Sequence, residues 1–183
     1  MAIVVTAVVL PLVVVLLVLV RVLGGEDTGT GTGDDAVADV GGTPTPGRAD
    51  LPPLPVEVPP VTPQADASCP ALMAQLPLEL AGEQSRPVVS DSPFAYAWGE
   101  PPVVLVCGVD RPAALERTSP LIQISGVNWL VDTTDPDRIV WTAVDRPVYV
   151  QVTVSADTDS APVTALGPVI NDTLPLQPID AGG

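Results

Sequence analysis

The chain has 183 residues and a formal net charge of −15, from 22 Asp and Glu side chains against 7 Arg, and it contains neither Lys nor His. This charge repels nucleic acid and anionic lipid headgroups, so we expect neither as a partner of the folded surface. Without His or Lys, the chain itself cannot supply a Ser-His-Asp or Cys-His site, a His-ligated zinc site or a Schiff base. We therefore expect no cofactor, no metal and no enzymatic activity.

The N-terminal stretch 2–20 is uncharged and consists almost entirely of Ala, Val, Leu and Ile. Extended to residue 23, it is about 33 Å long as a helix at ~1.5 Å per residue, which is enough to cross a bilayer. The pattern predicts a transmembrane anchor over residues 1–23 and a single-pass protein of the cell membrane. A cleaved signal peptide is the alternative, although its apolar region is usually shorter, about 7–15 residues.

Residues 24–67 predict a disordered linker in two parts. The first part is rich in Gly, Thr and Asp, and the second contains eight prolines within residues 43–63. We expect a flexible segment followed by an extended, polyproline-type segment. A spacer that holds a domain away from the membrane is the favoured interpretation. A proline-motif docking site and a glycosylated stalk are the alternatives.

Residues 68–155 predict the folded, extracytoplasmic domain. A helix begins at Ser68-Cys69-Pro70, because Ser or Cys can cap a helix and Pro fits its first turn. Three leucines follow at helical spacing: Leu72, Leu76 and Leu80. Pro77 falls inside this pattern, so the helix kinks there or ends near Gln75.

Short apolar or alternating segments then predict strands. They lie at residues 86–90, 94–98, 103–106, 121–124, 127–131, 139–144 and 148–154. Residues 121–124 and 127–131 form either a tight hairpin around Ser125-Gly126 or a single strand with a glycine bulge. With the helix, these strands predict an α+β domain in which one N-terminal helix packs on a small antiparallel sheet of about five to six strands. Residues 156–183 show little periodicity and predict a poorly ordered C-terminal tail, with a short strand or helix as the alternative.

Cys69 and Cys107 are the only cysteines in the chain. Outside the cytoplasm two such cysteines are expected to form a disulfide, which here would join the start of the helix to the end of a central strand. A metal-binding pair and a redox pair are the alternatives. The chain has no His and no C-x-x-C spacing to favour either of them.

Phe94, Tyr96 and Trp98 alternate with alanines in a predicted strand. Tyr96 and Trp98 are therefore the candidate binding residues, as an exposed aromatic platform for a glycan or a peptide. Aromatic residues at this spacing more often pack in the core or against a neighbouring strand, and this is the favoured interpretation. Burial of Trp98 would remove the platform.

Two sets of carboxylates deserve a chemical interpretation. Three aspartates of a predicted turn have a spacing that could chelate calcium: Asp132, Asp135 and Asp137. The central Gly and distal Glu of an EF-hand are missing, so we expect a solvated turn. Three further acids flank the central strand, and a pair of them could in principle hydrolyse a glycosidic bond: Glu100, Asp110 and Glu116. Surface carboxylates are the expectation there too.

Several sequence blocks match a known pattern: Cys69-Pro-Ala-Leu, Leu80-Ala-Gly, Ala97-Trp-Gly-x-Pro-Pro-Val-Val-Leu-x-Cys107-Gly-Val, Gly126-Val-x-Trp129 and a terminal Val-x-Val-x-Val strand. Together with the apolar N-terminus and the Pro-rich spacer, these blocks resemble the DUF3515 family. The resemblance implies an anchored or secreted actinobacterial protein and supports the envelope location and the disulfide. It implies no active site, because none is known for that family.

These observations predict a membrane-anchored extracytoplasmic protein of the cell envelope that acts as a binding or structural module. A cell-wall polymer or an envelope protein is the expected partner, besides the membrane that the N-terminal helix would enter. A carboxylate-dependent envelope hydrolase and an accessory subunit of a membrane complex are the alternative functions.

Overall fold

The structure is a computed structural model and describes residues 51–180. The elements, in chain order, are β1 (Leu54–Pro55), α1 (Pro63–Gln75), β2 (Glu79–Leu80), β3 (Glu83–Arg86), β4 (Val88–Val89), β5 (Ala95–Trp98), β6 (Val103–Val109), β7 (Leu121–Ile124), β8 (Val127–Asp132), β9 (Arg138–Ala143), β10 (Tyr149–Ser155) and α2 (Ala161–Thr173).

Eight strands form one sheet in the order β2-β3-β5-β6-β10-β9-β8-β7, and every pairing in it is antiparallel. Central strand β10 places Val152 opposite Leu105 of β6 on one side and opposite Trp141 of β9 on the other. The sheet is larger than predicted because β2 and β3 carry Glu, Gln, Ser and Arg, which give little strand signal. β1 and β4 form a separate parallel ladder.

The two helices pack against each other and cover one face of the sheet. α1 contacts β6, and α2 contacts β2, β7 and β8. The main core lies between these layers, and its largest members have no exposed surface, among them Leu72, Trp98, Leu105, Trp129 and Leu166. The α+β class is confirmed, with two helices instead of one.

Helix α1 begins earlier than predicted. The hydroxyl of Thr62 accepts a hydrogen bond from the backbone N–H of Ala65 at 3.1 Å, which makes Thr62 the N-cap and Pro63 the first helical residue. The predicted start at residues 68–70 is therefore wrong, and Pro70 lies inside the helix. The helix ends at Gln75, as the proline two residues later suggested.

The disulfide between Cys69 and Cys107 is present, with a Cα–Cα distance of 5.8 Å, and this prediction is confirmed. It joins α1 to β6, where the two backbones approach closely. A Cβ on Gly108, whose φ is +88°, would lie 2.6 Å from the Cβ of Ala65. Glycine is needed at this position for both the conformation and the contact.

Helix α2 contradicts the prediction of a poorly ordered tail over residues 156–183. Val163, Leu166 and Ile170 of this helix are fully buried in the main core. Pro168 argued against a helix in the sequence, because proline has no backbone N–H and the carbonyl of Thr164 therefore lacks its usual helical hydrogen bond. In the folded protein the hydroxyl of Ser125, on the β7–β8 turn, donates to that carbonyl at 3.2 Å.

The predicted linker boundary at residue 67 is also wrong. β1 pairs with β4, since the backbone N–H of Leu54 donates to the carbonyl of Pro87 at 2.9 Å. The folded domain thus includes a Pro-rich stretch that the composition assigned to the linker. The predicted anchor at residues 1–23 and linker residues 24–50 lie outside the described residues. In residues 51–180 no helix combines the length and hydropathy needed to cross a membrane.

The second face of the sheet is covered only in part. A smaller core of Leu115, Leu130 and Val144, joined by the partly buried Leu121 and Tyr149, lies under the loop that connects β6 to β7. This loop covers one end of the second face. The other end, over the first half of β6 and the second half of β10, is open and forms a groove.

Candidate functional site

The candidate functional site is this open groove on the second face. Its floor contains two cross-strand pairs, Val104 with Thr153 and Val106 with Gln151. Directly opposed residues of an antiparallel pair project to the same face of the sheet. Ser155 continues the row of polar side chains along β10. The floor therefore combines valine methyl groups with amide and hydroxyl groups that can donate and accept hydrogen bonds.

Two chain segments border the floor. Asp137 and Arg138 lie on the β10 side, since Arg138 of β9 is paired with Ser155. Residues 54–57 lie on the β6 side, because their partner β4 contacts β5, the neighbour of β6. The diproline turn at residues 101–102 closes one end. The groove has a volume of about 590 Å³, within the roughly 300–1,000 Å³ of ligand pockets.

Arg86 anchors the chain at Pro52, just before the border formed by residues 54–57. Its side chain is 3% exposed, and its guanidinium donates to the carbonyl oxygens of Pro52 at 2.9 Å and Gly99 at 3.0 Å. The same group forms a 2.6 Å ion pair with Glu100, whose side chain is 63% exposed. Arg86 therefore ties the N-terminal segment to the β5–β6 turn, and these are two of the parts that shape the groove.

The acidic turn between β8 and β9 is held by its own side chains. Asp132 accepts hydrogen bonds from the backbone N–H of Thr134 at 2.9 Å and from its hydroxyl at 2.7 Å, and both bonds hold the pKa of Asp132 below its usual 3.8. Asp135 accepts from the backbone N–H of Asp137 at 3.0 Å and pairs with Arg138 at 2.8 Å. In the part of the chain that the structure describes, no acidic cluster is arranged to hold a metal ion.

The carboxylates considered for hydrolysis do not meet at the groove. Glu100 is engaged by Arg86, and Asp110 and Glu116 are exposed on the loop after β6. Among the described residues that line the groove, none of these three carboxylates occurs. They are surface groups, and the geometry gives no support to a carboxylate pair acting on a glycosidic bond.

The aromatic residues of β5 belong to the core. Trp98 has no exposed surface, and its indole N–H donates to the carbonyl of Pro77 at 2.8 Å. Tyr96 is half-buried against the same core, with its ring centroid 4.7 Å from that of Trp98. Both side chains project to the helix-covered face. Because Trp98 has no exposed face to stack on a ligand, it cannot form the predicted two-ring platform with Tyr96.

A buried polar cluster went undetected in the sequence. Asp145 accepts hydrogen bonds from the backbone N–H of Asn128 at 3.0 Å and from its side-chain amide at 2.8 Å. Arg146 donates to the carbonyl of Gly126 at 3.0 Å and to the side chain of Asn171. The Asp145 and Arg146 side chains are each 1% exposed, and Nη1 of Arg146 lies 3.6 Å from Oδ1 of Asp145. This cluster joins the β7–β8 turn, the β9–β10 loop and α2; its sequence signal was a charged pair between two apolar strands.

The groove residues were also missed as a site. Gln151 and Thr153 read as the solvent-facing half of an amphipathic strand, and residues 54–57 read as linker. Their convergence depends on the β6–β10 register and on the β1–β4 ladder, both of which join distant parts of the sequence. The available signal was the alternation of apolar residues within the Pro-rich stretch, at Leu54, Val56 and Val58.

A family model described as "Protein of unknown function (DUF3515)" matches residues 6–179. The chain belongs to the DUF3515 family. The match covers the sequence blocks that carry the resemblance, and it also includes the β1 segment and α2. No curated protein and no solved structure matches the chain significantly. Membership in DUF3515 therefore identifies the chain without assigning a reaction or a ligand.

Proposed function

We propose that this protein is a binding module of the cell envelope and that the open groove is its ligand site. One observation carries the proposal: the second face of the sheet has, over β6 and β10, an open groove of about 590 Å³ with a mixed apolar and polar floor. Buried Arg86 holds one border in place, so the groove does not depend on a ligand to form. Preformed concave sites of this kind are typical of binding proteins.

The disulfide supports an extracytoplasmic location. Disulfides persist in oxidising compartments and are rare in the cytosol. With an apolar stretch at residues 2–20, this favours a single-pass protein whose domain lies outside the cell membrane. The test is alkylation with a maleimide reagent of large mass after the cells are quenched in acid and the protein is denatured, because both cysteines are buried in the fold. We expect no mass shift before reduction and labelling of both cysteines after it; two free thiols without reduction would contradict this location.

The charge of the chain narrows the class of partner. A net charge of −15 disfavours nucleic acid and leaves a cell-wall polymer or an envelope protein as the ligand of the groove. We propose binding without catalysis. The charged residues at the groove borders, Glu57, Asp137 and Arg138, are all exposed. Catalytic acids and bases are commonly desolvated by burial, and none of these three side chains is buried.

Filling the groove tests this function. The full-length protein with Thr153→Trp places an indole over the floor, and Trp is well accepted on a strand. Thr118→Trp makes the same change on the exposed β6–β7 loop, outside the groove. Binding of each labelled variant to isolated cell envelopes is measured. We expect saturable binding for the native chain and Thr118→Trp and its loss for Thr153→Trp.

Equal binding by both tryptophan variants would show that the groove is not the ligand site. Thermal unfolding of the two variants provides the control for folding. Loss of binding counts for the proposal only if Thr153→Trp unfolds at a temperature close to that of Thr118→Trp.

A further inference from the structure

We infer that the ligand of the groove is an extended peptide segment that carries Lys or Arg side chains. This inference rests on the proposed function and adds the chemistry of the ligand. Three features of the groove support it: the spacing of the polar row on its floor, the charges at its borders, and the hydrogen-bonding groups of its N-terminal border.

The polar row has the repeat of an extended peptide. Gln151, Thr153 and Ser155 alternate with buried valines along β10, so their side chains stand on one face at intervals of two residues. Two residues of a strand span roughly 6.6–6.8 Å, which is also the repeat of an extended peptide laid along it. Every second peptide group of the ligand would therefore meet a polar side chain of this row. The valines Val104 and Val106 provide the apolar contact between them.

The free charges at the borders are negative. Glu57 on the β6 side and Asp137 on the β10 side are exposed, and neither side chain forms an ion pair or hydrogen bond in the described part of the chain. Arg138 also borders the groove, but it is paired with Asp135 at 2.8 Å. A cationic ligand meets one free carboxylate at each border, whereas an acidic ligand meets repulsion. The net charge of −15 acts in the same direction.

The N-terminal border has acceptors in excess of donors. The N–H groups of Leu54 and Val56 point toward β4, where they donate to the carbonyls of Pro87 at 2.9 Å and Val89 at 3.0 Å. Pro55, which lies between them, points its carbonyl away from β4, as alternate residues of a ladder do. Because proline has no N–H, this residue offers an acceptor and no donor. The edge therefore favours a ligand rich in donors, such as an ammonium or guanidinium group.

The lining also separates a peptide from a glycan. Sugar rings are commonly bound by stacking on aromatic side chains, and none of the described residues that line the groove is aromatic. Trp98 and Trp129 are completely buried, and Trp141 is 8% exposed. The observations thus favour the peptide over a wall polysaccharide.

The test uses fluorescence anisotropy with the full-length protein in a neutral detergent and three labelled octapeptides of alternating residues: Thr-Lys, Thr-Gln and Thr-Glu. We expect the Thr-Lys peptide to bind, the Thr-Gln peptide to bind about 3- to 30-fold more weakly, and the Thr-Glu peptide not to bind. The variant Glu57→Gln with Asp137→Asn should lower affinity for Thr-Lys to the level of Thr-Gln. The variant Glu116→Gln with Asp157→Asn changes the charge equally outside the groove and should have little effect.

Equal binding of Thr-Lys and Thr-Gln, or an equal loss in both charge variants, would overturn the inference, the second because it indicates attraction to the whole acidic surface. A chitin tetrasaccharide serves as the alternative probe. If the tetrasaccharide binds, Thr153→Trp abolishes that binding and none of the peptides binds, then the proposed class of ligand is wrong. The groove would still be a binding site. If Thr153→Trp leaves envelope binding intact, the proposed function itself fails.

Discussion

At the scale of single residues, two buried arginines do most of the positioning. Arg86 joins Pro52 to the β5–β6 turn, and Arg146 joins the β7–β8 turn to α2 through Asn171. A guanidinium suits this role because its five N–H donors are fixed in one plane and it stays charged when buried. Neither arginine was distinguishable in the sequence from the exposed ones, since burial is decided by contacts between distant segments.

Replacing Arg86 by Met is expected to release the N-terminal border of the groove. The carbonyls of Pro52 and Gly99 lose their donor, which we expect to lower the free energy of unfolding by about 2–3 kcal/mol. Amide hydrogen exchange at Leu54 and Val56 should accelerate with it. Arg117→Met, at an exposed position, is the control and should change neither quantity. Unchanged exchange at these two amides in Arg86→Met would contradict the role given to Arg86.

The turn between β8 and β9 provides a pH-dependent prediction. Because the folded-state pKa of Asp132 is lowered, its contribution to stability is present above its ordinary pKa of 3.8 and is lost as pH falls through the folded-state pKa. Thr134→Val removes the hydroxyl donor and keeps the backbone N–H, so the pKa of Asp132 should rise only part of the way to 3.8. Carboxyl NMR titration measures it. Thr133→Val should leave it unchanged, and an equal rise in both variants would refute the assignment.

At the scale of elements, the contact between the β7–β8 turn and α2 sets the position of the second helix. A Cβ on Gly167 would lie 2.4 Å from the Cβ of Ser125, so the helix and the turn touch directly. Ser125 also donates to Thr164 in the turn of helix that Pro168 leaves without its backbone bond. The turn therefore packs on the helix and also supplies the hydrogen-bond donor that Pro168 lacks.

Gly167→Ala is expected to destabilise the fold by about 1–3 kcal/mol, because the added methyl group overlaps Ser125. In a Ser125→Gly background the penalty should fall by at least half, since the overlapping Cβ is gone and a positive φ of 49° suits glycine. Urea unfolding of the four variants forms a double-mutant cycle. An equal penalty in both backgrounds would mean that the two residues do not interact.

The strands from β5 to β10 were predictable, whereas α1 was predicted with a misplaced start and α2 was assigned to a poorly ordered tail. Segments such as 148–154 alternate valines with polar residues, and this local pattern survives in the fold as β10. α2 contains Gly167 and Pro168 in its interior, which argue against a helix when only local propensity is considered. It forms because buried Leu166 and its neighbours pack against the sheet, which no local pattern reveals.

At the scale of the whole molecule, the disulfide and the two layers make a compact domain from a short segment of chain. The bond between Cys69 and Cys107 closes a loop with a sequence separation of 38. The Cys69→Ser, Cys107→Ser variant is expected to lose about 4 kcal/mol of unfolding free energy, chiefly because its unfolded chain gains entropy. Urea unfolding measures this loss, and the native chain under reductant is the comparison. A loss below about 1 kcal/mol would contradict a structural role.

The location of the groove could not be predicted, although most of the strands around it could. Its floor requires the pairing of β6 with β10, and its N-terminal border requires a Pro-rich stretch to join a ladder with β4. Composition assigned that stretch to the linker because prolines disfavour a sheet interior. The aromatic residues of β5 were assigned correctly to a strand, but strand periodicity does not say which face is covered, so it left both a core role and an exposed platform open.

The most direct test of the account is site-specific photo-crosslinking in cells. A photoreactive phenylalanine analogue replaces Gln151 in the groove or, as the matched control, Gln123 on the edge strand β7. We predict a discrete adduct from position 151 that is absent from position 123 and is lost when Thr153→Trp is added. An adduct from both positions, or from neither, would contradict the claim that the open groove binds the ligand.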